Sequence, residues 1–478
     1  MNLPIHPVNR IREAKNLRSE LGFTLRLGGP LALGELGWMS TYIVDALMIG
    51  RLSNSPLAIS ASSLGNTIFY AIVFCAIYLM NGLETLIAQA YGQADETEGV
   101  LLLAQSFWLV LVGTPLVMVL SLGALWLLPH MGTPPEIVAE TTRYLKPLVW
   151  STAPLLTYMA LRKYLQSIDR VMLITISLVT ASLVNWLGDY AFLFGHFGFK
   201  PMGVAGSAWG TLVVRFWMLG LLTLGTWLAV RQQRVRWAWN MLRPDAQRLK
   251  VLLGIGWPSG LESLTELSVS TFMSILCARL GTILLAVHQV VLDLNAFVYQ
   301  VPQGLSYATV TRVGQCAGRN SVPEVRRAAN ASLLLGLGFM IVAATTFAVF
   351  SHTWAGMYTN SQEVVRAAAP IFTLCAFGLL GDTTFVMLAS ALTGLGDTRT
   401  PMIVSLVWNW GIGMPLAYAL AFHFGMSLKG LWLGRIVGSV GTAITIVIVW
   451  QVKLRADRRS FQSKQLNLLP TLSVVERP

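Results

Sequence analysis

Residues 231–250 read Arg231-Gln-Gln-Arg-Val-Arg-Trp-Ala-Trp-Asn-Met-Leu-Arg-Pro-Asp-Ala-Gln-Arg-Leu-Lys250, and the fold follows from what this stretch interrupts. Six of its residues are basic (Arg231, Arg234, Arg236, Arg243, Arg248 and Lys250), while the sequence on either side is overwhelmingly apolar. Of the 478 residues, 54% are hydrophobic and only 12% are charged. Soluble domains carry roughly 25% charged residues, so this chain could not build a soluble surface. A disulfide scaffold is excluded as well, because Cys75, Cys277, Cys316 and Cys375 lie far apart in apolar stretches without a CxxC. The 231–250 segment is therefore a polar break near the middle of a multi-pass membrane protein.

Working outward from the break, six apolar segments precede it (22–50, 58–82, 101–128, 144–166, 171–195 and 203–229). Six more follow it (251–279, 283–308, 328–350, 367–393, 401–424 and 428–451). Each is near or above the ~20 residues that cross a bilayer as a helix. Ten-residue segments of alternating polarity are absent, which argues against a barrel. The expected fold is an all-α membrane protein with twelve transmembrane helices in two six-helix lobes. Its parts are a cytoplasmic N-terminal segment 1–21, an N-lobe 22–230, a cytoplasmic linker 231–250, a C-lobe 251–452 and a cytoplasmic tail 453–478. Met1 to Glu20 is polar and basic, without the apolar run of a signal peptide.

The basic residues set the orientation. The termini, the linker and the other even-numbered loops hold 24 Lys and Arg, with Arg162, Lys163 and Arg312 counted among those loops, against seven in the odd-numbered loops. Positive residues collect on the cytoplasmic side. Both termini are thus expected in the cytoplasm and the protein in the plasma (inner) membrane, as an even number of spans requires.

The two halves also repeat. Shifted by 228 residues, Pro30 meets Pro258, Arg51–Leu52 meets Arg279–Leu280, Ala58 meets Ala286 and Asp169 meets Asp397. With small slips, Gln89-Ala-Tyr-Gly92 falls on Gln315-Cys-Ala-Gly318, Asn185–Trp186 on Asn409–Trp410, and His196-Phe-Gly198 on His423-Phe-Gly425. Ordered matches across two six-span halves indicate duplication, with both halves in the same orientation.

Eight of the 22 acids fall inside or at the edge of spans: Glu35, Asp45, Glu84, Asp189, Glu262, Glu266, Asp293 and Asp382. Only Arg215 and Arg435 oppose them well inside spans. An ionised group at mid-bilayer costs about 2.5–3.5 kcal/mol even on mild scales. Eight such acids point to a water-filled path for cations or protons. Asn185 and Asp189 are four residues apart, hence on one helix face, and offer oxygens to one point as a hard cation such as Na+ requires. Glu262 and Glu266 share a face in the same way, and two carboxylates that close share a proton or a cation. Pro30 and Pro258 lie inside spans, where each removes a helical hydrogen bond and marks a kink. A nucleotide-binding GxxxxGK[ST], an HExxH and a GxSxG are all missing, so no enzyme activity and no cofactor are expected.

The sequence resembles the MATE (multidrug and toxic compound extrusion) family, of the NorM/DinF-like kind, over about residues 20 to 455. Val44-Asp45-Ala-Leu-Met-Ile-Gly-Arg-Leu52 resembles the family's first-helix "VDT…G". Gly82-Leu-Glu-Thr-Leu-Ile-Ala-Gln89-Ala-Tyr-Gly92 resembles "GLDTLxxQxYG", and Gly304-Leu-Ser-Tyr-Ala-Thr-Val-Thr-Arg312-Val-Gly314 resembles "GLSxAxSxRVG". The resemblance implies an N-lobe cation or proton site of Asp45, Asn185, Asp189 and Thr211, with Asp45, Asn185 and Asp189 holding Na+ in a sodium-coupled member. It implies a C-lobe cation or substrate pair of Glu266, eight residues past Pro258, and Asp382, before Gly394-Leu-Gly-Asp397-Thr398. Glu35 and Glu262 have no counterpart in the family patterns and stand as possible additions.

The resemblance further implies a multidrug exporter that antiports small organic cations against Na+ or H+ by alternating access of the two lobes. It would be surrounded by membrane lipids, without nucleic acid, as a monomer. Three other readings stay open: a flippase of lipid-linked oligosaccharides, an intramembrane enzyme using a Glu262/Glu266 dyad, and a passive cation channel.

Overall fold

The computed structural model describes residues 16–468 except residues 53, 234, 236, 237 and 360. Arg10, Arg12, Lys15, Arg234, Arg236 and Arg477 lie outside the described residues, as do the side chains of Arg458, Arg459 and Lys464. The N-terminal segment is thus described only from residue 16, and the side chains of the tail only to residue 455.

In chain order the first half forms α1 (Leu17–Ile49), α2 (Ser55–Leu79), α3 (Asn81–Gly92), α4 (Glu96–Leu127), α5 (Pro135–Trp150), α6 (Thr152–Ser167), α7 (Val171–Phe192) and α8 (Val204–Gln232). The second half forms α9 (Ala246–Leu280), α10 (Thr282–Gly318), α11 (Val322–Val349), α12 (Ser351–Tyr358), α13 (Gln362–Gly394), α14 (Arg399–Leu406), α15 (Met414–Tyr418) and α16 (Ser427–Leu468). Among the described residues there is no strand, and every expected span coincides with helix. The fold is all-α, with twelve membrane helices in two repeated six-helix halves.

Several details differ from the sequence reading. The second span is α2 and α3, which break at Met80; the fourth is α5 and α6, which break at Ser151 and begin at Pro135, ahead of residue 144. Ser151 folds its N–H back onto Leu148 O at 3.1 Å. The eleventh span joins α14 and α15 through the wider π-helical turns Val407–Gly413 and Ala419–His423. α12 is an additional short helix where a loop was expected. Among the described residues nine helical stretches are long and apolar enough to cross a membrane by composition. Those that fall short are α1 and α9, which carry internal acids, and α5 and α6, which are 16 residues each. α4 exposes Leu111, Val112, Leu116, Val119 and Leu120, the apolar exterior a lipid-facing helix needs.

Packing divides the described chain into two units. The first holds residues 29–87 and 96–264; the second holds 16–28, 88–95 and 265–468.

In the first unit, α7 meets α8 through glycine. A Cβ on Gly206 would lie 2.5 Å from Phe192 C, and one on Gly210 would lie 2.8 Å from Asp189 Oδ1. Membrane helices use such small-xxx-small faces to bring backbones together. Gly256 on α9 likewise abuts Leu79 O of α2. The linker is strapped to α4: Gln105 Nε2 donates to Met241 O (3.1 Å) and Arg243 O (2.8 Å), and Trp108 Nε1 donates to Leu242 O (2.8 Å). Asp245 then caps α9, accepting from Gln247 N at 2.9 Å and Arg248 N at 3.2 Å. Its carboxyl lies below the usual range: burial opposes the charge, but the Arg248 backbone and guanidinium outweigh it.

In the second unit, α10, α13 and α16 surround a core that includes Phe372, Met414 and Trp432. The start of α1 and the end of α3 pack on α10. Glycine again sets the approach, since a Cβ on Gly92 would lie 2.2 Å from Gln315 O and one on Gly318 would lie 2.1 Å from Gln89 O. Buried Glu20 accepts from Arg312 Nε at 2.6 Å and Nη2 at 3.1 Å. The duplication is visible in the turns: Ala94 and Asn320, at matching places in the halves, both adopt left-handed backbone, with φ of 60° and 57°.

Candidate coupling and substrate sites

In the first unit the i,i+4 spacing on α7 turns Asn185 and Asp189 inward together, and both are fully buried. Asn185 Nδ2 donates to Asp45 Oδ1 of α1. Asn185 Oδ1 and both Asp189 oxygens have no donor partner among the described residues. The Asp45 carboxyl instead acts directly on Asp189. Two carboxyls and an amide oxygen thus converge inside a membrane helix bundle, and like-charge repulsion is relieved there by one shared proton or one monovalent cation. The donor set fits such an ion. Among the described residues, no three His, Cys, Asp or Glu side chains converge as a multivalent metal would want.

Arg215 of α8 adds a fixed positive charge that acts on Asp45. Its guanidinium is buried, donating to Ser151 Oγ and, at 3.4 Å, to Tyr70 OH, and it sits 4.9 Å from the Phe69 ring centre. Hydroxyls and a ring hold it, so it does not cancel the acids by direct pairing. Thr211 follows Gly210 on α8 and is half-buried, without a hydrogen bond to Asp45, Asn185 or Asp189. Gly210 of α8 lies against Asp189, and its missing side chain makes room for that carboxylate.

In the second unit a cavity of ≈ 210 Å³ is lined by Glu266 of α9, Asn295 and Tyr299 of α10, Asp382 of α13, Asn409, and Trp432 and Arg435 of α16. Arg435 Nη2 donates to Asp382 Oδ2 at 3.2 Å and lies 5.5 Å from the Trp432 ring centre. Asn409 rides in the π-helical turn, where its Nδ2 donates to Ser405 Oγ at 3.1 Å. Such turns re-aim a side chain at functional sites. The cavity combines two carboxylates, one guanidinium, two amides and aromatic faces, a mixture suited to a small amine with an apolar body.

The structure brings Asp45 and Asn185 together beside Asp189, and places Glu266 and Asp382 in one cavity. Arg435, marked by the sequence only as an intramembrane cation, joins that cavity together with Asn295, Asn409 and Trp432, which the sequence does not assign to it. Asn409 carried a signal, because the repeat aligns it with Asn185. Glu262, one turn before Glu266 on α9, is not among the residues lining the cavity. Pro30 and Pro258 lie inside α1 and α9, and Thr175 Oγ1 donates to Pro30 O at 2.8 Å.

The count of unopposed acids needs correction. Arg162 and Lys163, counted with the loop after the fourth span, are buried in α6 inside that span. Arg162 binds Glu35, and Lys163 Nζ binds Glu84 Oε2 at 2.5 Å. Arg312, also assigned to a loop, is the buried partner of Glu20. Glu35 and Glu84 are therefore neutralised in place, as membrane burial demands.

A duplicated pair of six-helix halves, with intramembrane acids beside an arginine and an asparagine in each, defines a class: membrane transporters built from an internal repeat. The MatE family model matches residues 30–191 and again 258–419, once in each half. The chain belongs to the MATE family of transporters. It is 32% identical over 437 residues to a probable multidrug resistance protein NorM of Rhizobium meliloti, covering 88% of this chain and 91% of that one. It is 30% identical over 490 aligned positions to the multidrug resistance protein PmpM of Pseudomonas aeruginosa, covering 100% of both. Among solved structures, a Vibrio cholerae MATE transporter superposes with TM-score 0.83 at 20% identity, covering 93% of this chain and 99% of that chain. A transporter of the MOP superfamily from Pyrococcus furiosus does so with TM-score 0.83 at 19% identity, covering 94% of this chain and 100% of that one.

Proposed function

We propose that this protein is a secondary active multidrug exporter that antiports organic cations against Na+ or H+ through alternating access of its two lobes. One observation carries the reading. Asp45, Asn185 and Asp189 form a buried oxygen cluster with no donor for the Asp189 carboxylate, in helices that cross the membrane. That is a site for a mobile cation or proton, and a purely structural cluster would pair its acids as Glu35 and Glu84 are paired. The multidrug resistance names of its relatives agree with export of drugs.

In the mechanism, the coupling ion enters from outside and neutralises Asp45 and Asp189, with Asn185 holding Asp45 in place. At the second site Glu266 and Asp382 attract the cationic substrate until a coupling ion competes for the same carboxylates. Rocking of the lobes then exchanges substrate for ion across the membrane. Both termini lie in the cytoplasm and the protein works in the plasma (inner) membrane as a monomer.

The test is efflux of a fluorescent organic cation from proteoliposomes, driven separately by a Na+ and by a pH gradient. Asp45→Asn and Glu266→Gln should each abolish drug resistance in cells while the protein still inserts in the membrane. Full transport by both variants overturns the assignment of the sites.

A further inference from the structure

Among the described residues, the charged groups in the wall of the second-unit cavity are Glu266, Asp382 and Arg435. Asn295, Tyr299, Asn409 and Trp432 line it as neutral groups. With both carboxyls ionised, the wall carries a net charge of minus one. The roles above use the two acids and leave Arg435 unexplained, because a fixed positive charge repels the cations that the cavity is to hold.

Arg435 is not sealed in as a structural partner. The side chains of the pair Arg312–Glu20 are 4% and 0% exposed, and those of Lys163–Glu84 are 6% and 1% exposed. For Arg435 and Asp382 the values are 25% and 26%, and both residues border the cavity. Arg312 grips Glu20 through Nε and Nη2 together, whereas Arg435 meets Asp382 through Nη2 alone at 3.2 Å. A guanidinium has five N–H donors, so the cavity uses its charge more than its fork. The Trp432 ring, 5.5 Å away, keeps the guanidinium at the wall. Asp382 and Arg435 act on Glu266 with opposite sign. Arg435 thus offsets one carboxylate, and one negative charge is left over.

The internal repeat supplies a second observation. Gly430-Leu-Trp-Leu-Gly-Arg435 on α16 repeats Gly210-Thr-Leu-Val-Val-Arg215 on α8, the sixth membrane helix of the other half. Each glycine lies against the membrane helix before it. A Cβ on Gly210 would stand 2.8 Å from Asp189 Oδ1, and one on Gly430 would stand 2.7 Å from Ala421 N. The arginine follows each of these contacts by five residues, about 7.5 Å along the helix axis. Arg215 is likewise a buried cation held by the hydroxyls of Ser151 and Tyr70. One arginine for two carboxyls is therefore a feature of each half.

We propose that Arg435 is a tethered counter-cation that fixes the C-lobe cavity at one negative charge and so selects singly charged organic cations over doubly charged ones. The assignment rests on the exporter reading above and narrows its substrate class. A monocation brings the cavity to zero. A dication of the same shape would leave one positive charge uncompensated inside a membrane protein, where unpaired charge is expensive. Without Arg435 the wall would stand at minus two, and the dication would become the neutral fit. Specificity of this kind is a difference between two affinities, set by a repulsive group as much as by an attractive one.

The experiment measures Kd by isothermal titration calorimetry on the full chain in detergent, at alkaline pH and without Na+. Its probes are methylphenylpyridinium and paraquat, two-ring cations of nearly equal shape that carry one and two charges. The wild type should favour the monocation, and Arg435→Gln should shift the ratio of the two Kd values at least tenfold toward paraquat. Arg435→Lys, which keeps the charge, should hold the wild-type ratio. Asp382→Asn leaves the wall neutral and should weaken the monocation, and adding Arg435→Gln to it should recover that loss. This second comparison decides the question should Arg435→Gln alone not insert. A ratio unmoved by Arg435→Gln, a double variant no better than Asp382→Asn, or a wild type that binds neither probe overturns the counter-cation while the exporter reading stands. A wild type that binds neither probe and also shows no gradient-driven efflux of a fluorescent organic cation from proteoliposomes overturns both.

Discussion

Gly210 offers a perturbation that separates the coupling site from the fold. In Gly210→Ala the new Cβ would lie 2.8 Å from Asp189 Oδ1, while the nearest main-chain atoms, Asp189 N and Gly188 C, would stand at 3.3 and 3.4 Å. The backbone of α7 therefore has to give only slightly, while the carboxylate retreats by about 0.6 Å to reach normal separation. A functional constellation tolerates roughly 0.5 Å of displacement, so the Asp45–Asp189 geometry is lost. The fold hardly suffers, because alanine is favoured over glycine in a helix by about 0.5–1 kcal/mol, which offsets the strain of one moved side chain. Gly206→Ala is the control on the same face. Its Cβ would meet main-chain atoms, Phe192 C at 2.5 Å and Leu193 N at 2.6 Å, and these cannot retreat without parting the helices. Overpacking of this kind costs about 1–3 kcal/mol. Thermal unfolding in detergent, followed by the loss of monodisperse protein, should leave Gly210→Ala near wild type and lower the Tm of Gly206→Ala. Ion-driven efflux by Gly210→Ala should fall by about tenfold. Wild-type efflux by Gly210→Ala would refute the coupling role of Asp189, and equal stability of the two variants would refute the packing argument.

Two further outcomes follow from the buried charges. Arg162 and Glu35 bury their side chains to 7% and 11% exposure, so Glu35→Gln should destabilise the protein by about 3–5 kcal/mol by leaving a buried guanidinium without its carboxylate. Glu35→Leu combined with Arg162→Met should recover most of that loss in the same thermal assay, and a stable Glu35→Gln single variant would contradict the pairing. Asp397, between α13 and α14, has its carboxyl held below the usual range. Burial opposes its charge, but Lys453 Nζ and the Thr400 N–H (3.1 Å) and hydroxyl (2.9 Å) outweigh burial. A lowered folded pKa gives stability that is full above the unfolded value of about 3.9 and fades as pH falls through the folded one. The Tm should thus drop in acid below about pH 4, and Asp397→Asn should lower Tm at neutral pH and flatten that drop.

Much of the fold was legible because membrane helices announce themselves locally. Each needs a long apolar run, and the duplication left Asn185 aligned with Asn409 and Pro30 with Pro258. Asn185 and Asp189 were legible as one face because helical spacing alone puts them there. Arg162 and Lys163 were misread for an equally local reason. A hydropathy pattern cannot register that Glu35 and Glu84 on other helices neutralise two cations buried in α6. Gly210 lies against Asp189, and a residue with no side chain gives no chemical signal in a sequence.

The set of helices, their repeat and the inventory of intramembrane acids can be read along the chain, since they depend on apolar runs and on residue spacing. The tertiary structure decided which acid meets which partner. Asp45 reaches Asn185 on α7, Asp382 reaches Arg435 on α16, and His288 reaches Ser274 on α9. Those choices depend on how closely and at what register helices approach. In this protein glycines at the helix faces, Gly206 and Gly210 above all, set that approach, so a charge becomes a structural pair or a mobile-ion site only after the backbones have packed.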